Sequence, residues 1–147
     1  MIKFRFFIHL SIIYTSFIGA SVAQWSPFGE VVDVTVTNNC SMTEGEIALV
    51  VSDGIFYCPS RAAIADTQVS DASHFYLVQA YGQLAIHKRS TKLADCWAAH
   101  QLAAAPNGRH YVRQWIRHWR AYGTWKAAYG SPEQRIANVR SCCACGV

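Results

Sequence analysis

The chain lacks the short motifs that mark the common catalytic centres. It has no Gly-x-Ser-x-Gly nucleophile elbow, no His-Glu-x-x-His metal motif and no glycine-rich phosphate loop. A zinc site built from its cysteines is disfavoured because thiolate ligands belong mostly to reducing compartments. The sequence therefore predicts no metal site and no cofactor, and it indicates no specific reaction.

Acidic residues are scarce in the second half of the chain. From Lys88 to Val147 there are ten basic residues and only two acids, Asp95 and Glu133, giving a net charge of +8. Residues 24–87 contain seven acids and one base, giving −6. Glycoside hydrolysis usually needs two suitably placed carboxylates, and the basic half alone does not favour it. The asymmetry indicates either an anion-binding face or two halves that pack together and neutralise each other.

Long apolar runs are also absent, except near the N-terminus. The run from Phe6 to about Ala20 follows two basic residues and is short for a membrane-spanning helix, which needs roughly 20 apolar residues. Small residues at positions 21 and 23 suit a signal peptidase, so we predict a signal peptide over residues 1–23, removed after Ala23. An uncleaved N-terminal anchor is the alternative. The remaining single domain, 24–147, is expected to be secreted or periplasmic, with no integral membrane association after cleavage.

What the chain does have is an even set of cysteines, and three of them lie within its last six residues. An even count in a short exported chain is typical of a disulfide framework. Bridges within the last three would close strained loops, so the preferred prediction joins each of the first three to the tail and clasps the two halves together. The alternative pairs Cys40 with Cys58, joins Cys96 to the tail and leaves a strained or reactive pair. The six cysteines are Cys40, Cys58, Cys96, Cys142, Cys143 and Cys145.

Strand signals dominate the first half. Residues 31–37 alternate as a half-buried strand does, and residues 46–52 and 55–58 are predicted to form a hairpin closed by a type I′ turn at Asp53-Gly54. The segment His74–His87 is ambiguous: aromatic and β-branched residues favour strands with a turn at Gly82-Gln83, whereas other apolar positions fit a helix. We favour strands there.

Helix signals dominate after Arg89. A first helix is predicted over Lys92–Ala104, capped by Thr91 and directing Leu93, Trp97 and Leu102 to the core. A second covers Arg109–Tyr122 with an apolar stripe from Tyr111 to Tyr122, and Gly123 is expected to end it in the left-handed conformation. A third begins at Ser131-Pro132-Glu133-Gln134, a capping-box spacing with proline at the first helical position, and directs Ile136 and Val139 inward. The predicted fold is α+β: a small disulfide-stapled single domain with N-terminal antiparallel strands followed by about three helices.

The second predicted helix carries the strongest surface signal. Arginines recur on its polar side at four-residue spacing, where like charges repel by a few tenths of a kcal/mol unless something anionic compensates. Arginine binds carboxylates and phosphates through a planar two-pronged contact. The candidate binding residues are Arg109, Arg113, Arg117 and Arg120, and the alternative is a solvated face or one paired with the acidic half.

Two function classes follow from these signals. The first is a non-enzymatic exported binding protein, such as an inhibitor, immunity factor or effector, whose arginine-rich helix meets an anionic protein surface or another anionic ligand. The second is a small secreted hydrolase of the phosphodiesterase or ribonuclease type, with His110 and His118 as weak catalytic candidates because imidazole titrates near neutrality. We favour the binding protein, because no catalytic constellation has a specific spacing. Nucleic acid is a conceivable partner without support of its own.

Overall fold

The computed structural model describes residues 34–52, 54–86, 90–143 and 146–147. The predicted signal peptide, the start of the first predicted strand, Asp53, His87 and Cys145 lie outside these residues. Within them the protein has a three-stranded sheet and five α-helices, so the predicted α+β class is confirmed and the predicted number of helices was too low. None of the helices in these ranges has the length and apolar character needed to cross a membrane.

The sheet is formed by β1 (Val36–Asn38), β2 (Ala48–Val51) and β3 (Gly54–Tyr57) in the order β1-β3-β2. The predicted hairpin is confirmed, since β2 and β3 pair antiparallel. Val51 pairs with Gly54, so Gly54 belongs to β3 and not to the turn in which it was predicted. Ser52 has a positive φ of 55°.

Strand β1 differs from the prediction in two respects. It pairs parallel to β3, whereas only antiparallel strands were expected, and all three of its residues are exposed. A 3₁₀ turn at Cys40–Met42 follows β1. Cys40 lies close to Cys58, because these two cysteines follow the C-terminal ends of the parallel neighbours β1 and β3. Such non-local pairing leaves no signal in the sequence of β1 itself.

Helices α1 (Pro59–Gln68) and α2 (Ser73–Ala85) occupy the rest of the first half, where no helix was preferred. The strand prediction for His74–His87 was wrong. Phe75, Val78 and Gly82 are buried at helical spacing, and α2 lies against both the sheet and α3. Gly82 permits this approach, since a Cβ there would meet the carbonyl oxygen of Ala94 at 2.9 Å.

The three helices predicted in the second half are confirmed as α3 (Thr91–Ala104), α4 (Gly108–Tyr122) and α5 (Pro132–Cys143). The capping box of α5 forms as expected: Ser131 Oγ accepts from the Gln134 amide, and the Gln134 side chain accepts from the Ser131 amide. Ile136 and Val139 are buried as predicted.

Some helix details were predicted incorrectly. The cap of α3 is Ser90, whose hydroxyl accepts from the Leu93 amide, rather than Thr91. Leu93 is 46% exposed, because small buried alanines at 94, 98 and 99 form the inner face of α3 instead. Gly123 is extended, with φ −66°, and glycine is required there because a Cβ would overlap the Trp119 carbonyl oxygen.

Helix α3 lies at the centre of the molecule and packs on α2, α4 and α5. The core between these helices is largely aromatic: Phe75 stacks on Trp115, and Trp115 stacks on Trp119. The Tyr111–Tyr122 stripe is therefore core over most of its length, although Tyr122 at its end is exposed. This packing leaves one side of α4 buried and turns the other to solvent.

Two disulfides are present in the described residues, Cys40–Cys58 and Cys96–Cys142. The preferred prediction, in which Cys40, Cys58 and Cys96 each bond to the C-terminal tail, was wrong. The alternative, in which Cys40 pairs with Cys58 and Cys96 bonds to the tail, is confirmed for these two bridges. Neither bridge joins the two halves of the chain, so the predicted clasp is absent from the described residues. Cys143 is not a free cysteine. The disulfides indicate an oxidising environment.

Candidate functional site

Helix α4 presents its four predicted binding residues on its solvent side. Arg109, Arg113, Arg117 and Arg120 are all exposed, and we call them the arginine face. Their spacing in a helix of 3.6 residues per turn places them along one side, while Val112, Trp115 and Trp119 occupy the opposite, buried side. The exposed position of the arginine face thus follows from the apolar stripe that anchors the helix.

No arginine of this face forms an ion pair with a carboxylate among the described residues. The one hydrogen bond it makes there runs from Arg117 Nη1 to the amide oxygen of Gln114, at 3.3 Å. The like charges at four-residue spacing are therefore left uncompensated by these parts of the protein. The face retains its capacity for two-pronged contacts with an anion.

The acidic and basic halves do meet, but through side chains other than these four arginines. Glu46 pairs with Lys126, and Asp71 Oδ2 lies 2.9 Å from His110 Nε2. Both pairs join the −6 half to the +8 half. Internal neutralisation, which the charge pattern offered as the alternative to an anion-binding face, thus occurs beside the arginine face and does not include it.

A third ion pair is buried between α3 and α5. Arg135 Nε and Nη2 each donate to a carboxylate oxygen of Asp95 at 2.7 Å, and both residues are almost fully buried. The Arg135 guanidinium also lies 4.4 Å from the ring centres of Trp119 and Tyr129. Burial by itself would lower the pKa of Arg135, but the bonds to Asp95 outweigh it and raise that pKa, so the guanidinium stays charged.

This buried pair borders a cavity of about 640 Å³ between α3, α5 and the segment 127–130. Its lining includes polar side chains that already bond within the protein: the Asn138 amide donates to the Lys92 carbonyl, and Gln134 belongs to the capping box. The pair and the cavity were not predicted, because Asp95 and Arg135 are 40 residues apart in sequence and each alone resembles a surface charge.

His118 is enclosed by the fold. Its Nε2 lies 2.9 Å from the amide oxygen of Gln68, which can only accept, so the imidazole carries its proton on Nε2. Nδ1 therefore accepts from the Tyr76 hydroxyl at 3.0 Å. Burial lowers the pKa of His118, and the charge of Asp66 opposes that shift only in part. Both ring nitrogens are thus engaged, and the ring is neutral near pH 7.

His110 has a different environment. It is partly exposed at the start of α4, where Asp71 accepts from its ring at 2.9 Å. The hydrogen bond to His110 is the main reason that the pKa of Asp71 lies below its usual value. Asp71 has a positive φ of 63°, an uncommon conformation for a residue other than glycine. His110 and His118 do not come together into one site.

A second cleft lies where α1 faces the C-terminal end of α4. It has a volume of about 210 Å³ and is bordered by the segments 45–47 and 124–126. His118 and Tyr76 lie at its base, and Ile64 and Tyr122 are exposed at its rim. Tyr122 was noted as the end of the apolar stripe of α4, whereas Ile64 gave no recognisable sequence signal because α1 was not predicted. Among the described residues no group of three or more His, Cys, Asp or Glu side chains is placed to hold a metal ion.

Comparison with known proteins identifies no matching family model, no matching curated protein and no matching solved structure.

Proposed function

We propose that this protein is an exported, non-enzymatic binding protein that captures an anionic protein surface through the arginine face of α4. The observation that carries the proposal is that four exposed arginines lie along one rigid helix without a carboxylate partner in the described residues. Lys126 and His110, which link the two halves, already have carboxylate partners. The signal-peptide pattern and the disulfides support a secreted or periplasmic location.

The anchoring of the helix supports recognition of a partner. Trp115 and Trp119 are buried against α2 and α5, so α4 presents its arginines from a fixed backbone. A preformed arrangement reduces the entropy that must be lost on binding. Beside Arg120, a groove of about 390 Å³ between α4 and α5 is lined by Arg140 and also by the acidic Glu133, so the uniformly basic surface is confined to α4 itself.

Charge reversal within the arginine face tests the proposal. Binding of fluorescein-labelled poly-L-glutamate is measured by anisotropy for the wild type and for Arg113→Glu/Arg117→Glu. We expect the double variant to bind at least about tenfold more weakly, equivalent to 1.4 kcal/mol, because attraction becomes repulsion. Wild-type binding should also weaken as salt is added.

Arg113→Glu compared with Lys92→Glu provides the matched control. Both substitutions change the net charge equally at exposed helical positions, but Lys92 belongs to α3 and not to the arginine face of α4. Loss of affinity in Arg113→Glu alone supports a defined face. Equal losses in the two variants would show that only net charge matters, and the proposal would fail.

A phosphodiesterase is the second candidate, favoured by the pairing of His110 with Asp71 next to Arg109 and Arg113. A carboxylate that orients an imidazole is a common arrangement for a general base. His74 is the nearest candidate for a second proton-transfer group, since it stacks on Tyr111, whose ring also contacts His110. Hydrolysis of RNA by the wild type and its loss in His110→Ala would favour this candidate. A wild type without activity on RNA or DNA would eliminate it.

A further inference from the structure

The cleft between α1 and α4 has an apolar wall and a polar base whose hydrogen bonds are complete. Four aliphatic or aromatic side chains line it. Ile64 and Tyr122 are exposed, Ile47 is partly buried and Trp119 is buried. At the base, the Tyr76 hydroxyl donates to His118, and His118 donates to Gln68. Tyr76 and His118 at the base therefore require no polar ligand, whereas the buried Nε1 of Trp119 in the wall has no hydrogen-bond partner among the described residues.

The size of the cleft limits its occupant. A closed cavity of about 150 Å³ is sufficient for benzene. At about 210 Å³ the cleft accommodates a single aromatic ring and is too small for an extended acyl chain. The phenol of Tyr122, 51% accessible, lines the cleft, and the indole of Trp125, 68% accessible, lies in sequence between the lining residues Thr124 and Lys126. Exposed aromatic residues of this kind are enriched where partners bind.

Unpaired arginines lie on both sides of the cleft. Arg61 lines it from α1, is exposed, and forms no ion pair with a described residue. On α4, Arg117 precedes His118, which lies at the base of the cleft. The two side chains therefore leave the helix about 100° apart. The small exposed side chain of Ala121 lies between these two directions. Lys126 at the rim is already neutralised by Glu46.

We propose that the cleft receives one aromatic side chain of an acidic partner segment whose flanking carboxylates contact Arg61 and the arginine face. This inference depends on the proposed binding function and specifies its partner. An extended segment crossing α4 over Ala121 places its acidic residues next to arginines on both sides. The aromatic anchor gives affinity through burial, and the arginines select for acidic flanks.

Three heptapeptides test this inference by anisotropy. One has a central phenylalanine flanked by three glutamates on each side, the second has alanine at the centre, and the third has phenylalanine flanked by lysines. We expect the phenylalanine–glutamate peptide to bind about 10- to 100-fold more tightly than the alanine peptide, as burial of one aromatic side chain implies. The lysine peptide should bind more weakly than both.

The variant Ile64→Ser/Tyr122→Ser removes two rim side chains that are more than half exposed, so the fold should persist. We expect the ratio of the affinities for the phenylalanine and alanine peptides to fall to about one. The alanine peptide should bind to this variant as tightly as it binds to the wild type. Arg61→Glu should weaken both acidic peptides.

The outcomes separate this inference from the proposed function. If neither acidic peptide binds, the proposed function fails. If both bind with equal affinity, the arginine face binds acids but the aromatic anchor is refuted. If the lysine peptide binds as tightly as its acidic counterpart, the cleft recognises aromatic residues without acidic flanks, and the inference is overturned.

Discussion

His118 is held in one protonation state by its neighbours. Tyr76 donates to Nδ1 and Gln68 accepts from Nε2–H, so a second ring proton would have to displace the tyrosine hydroxyl proton. The sequence pattern put His118 on an arginine-rich helix and suggested a catalytic role for it. It could not show that residues 42 and 50 positions earlier in the chain would occupy both ring nitrogens.

The lowered pKa of His118 predicts how stability depends on pH. Because the folded-state pKa lies below the unfolded value of 6.5, the unfolded chain binds more protons as pH falls through that value. The free energy of unfolding should therefore decrease on acidification from about pH 7.5 to about pH 5.5. Burial lowers the pKa of His74 as well, which adds to the effect.

Urea unfolding of the wild type and His118→Gln at both pH values measures this contribution. The variant cannot titrate, so we expect a smaller decrease in its unfolding free energy than in that of the wild type. A decrease of equal size in both proteins would show that His118 is not responsible.

Asp95 and Arg135 illustrate the limit of charge counting. Both were included in the +8 total of the second half, yet they neutralise each other in the core between α3 and α5. A charge count cannot distinguish a buried pair from two surface charges. The exposed positive charge consequently resides on fewer residues than the sequence suggested, and the arginine face accounts for four of them.

At the scale of elements, local signals predicted local structure. The hairpin of β2 and β3, helix α4 and the capping box of α5 each depend on residues close in sequence, and each is present. Helix α2 was misjudged because it is buried against both the sheet and α3, which blurs its helical periodicity. Helix α1 was missed because its buried residues, Ala62 and Ala65, form a weak apolar stripe.

The two disulfides stabilise different elements and should contribute unequally. Cys96–Cys142 fastens α5 to α3 across 46 residues, whereas Cys40–Cys58 spans 18 within the first half. Chain-entropy arguments give about 4 kcal/mol for the longer loop and about 3 kcal/mol for the shorter one.

Paired alanine substitutions test this order. Cys96→Ala/Cys142→Ala should lose roughly 0.8 kcal/mol more unfolding free energy than Cys40→Ala/Cys58→Ala, as measured by urea unfolding without reductant. The reverse order would mean that local packing, rather than loop length, determines the contribution of each bridge.

At the scale of the whole molecule, two oppositely charged halves are joined by packing and ion pairs without a bridging disulfide in the described residues. Glu46–Lys126 and Asp71–His110 cross the boundary, and α2 packs on α3 and α4. The four arginines of α4 form no ion pair with the acids of the first half that the structure describes. Their position was predictable from the helical spacing, but the absence of a partner among these residues was not, since it depends on where the acids of the other half lie.

The central claim is that the arginine face serves binding and not folding, and one paired measurement tests it directly. Unfolding free energy in urea and affinity for poly-L-glutamate are determined for the wild type, Arg113→Gln/Arg117→Gln and Lys126→Gln. Lys126 is the matched control, because it is a cation with a partner inside the protein.

For Arg113→Gln/Arg117→Gln, we predict an unfolding free energy that is unchanged or higher by a few tenths of a kcal/mol, because like charges are removed. Its affinity should fall about tenfold. Lys126→Gln should lose up to about 1 kcal/mol of stability, and its affinity should fall by less than that of the arginine variant, because Lys126 lies outside the arginine face. The idea would be contradicted by an unchanged affinity, or by a loss of stability in the arginine variant of about 1 kcal/mol or more, which is the upper value for an exposed ion pair.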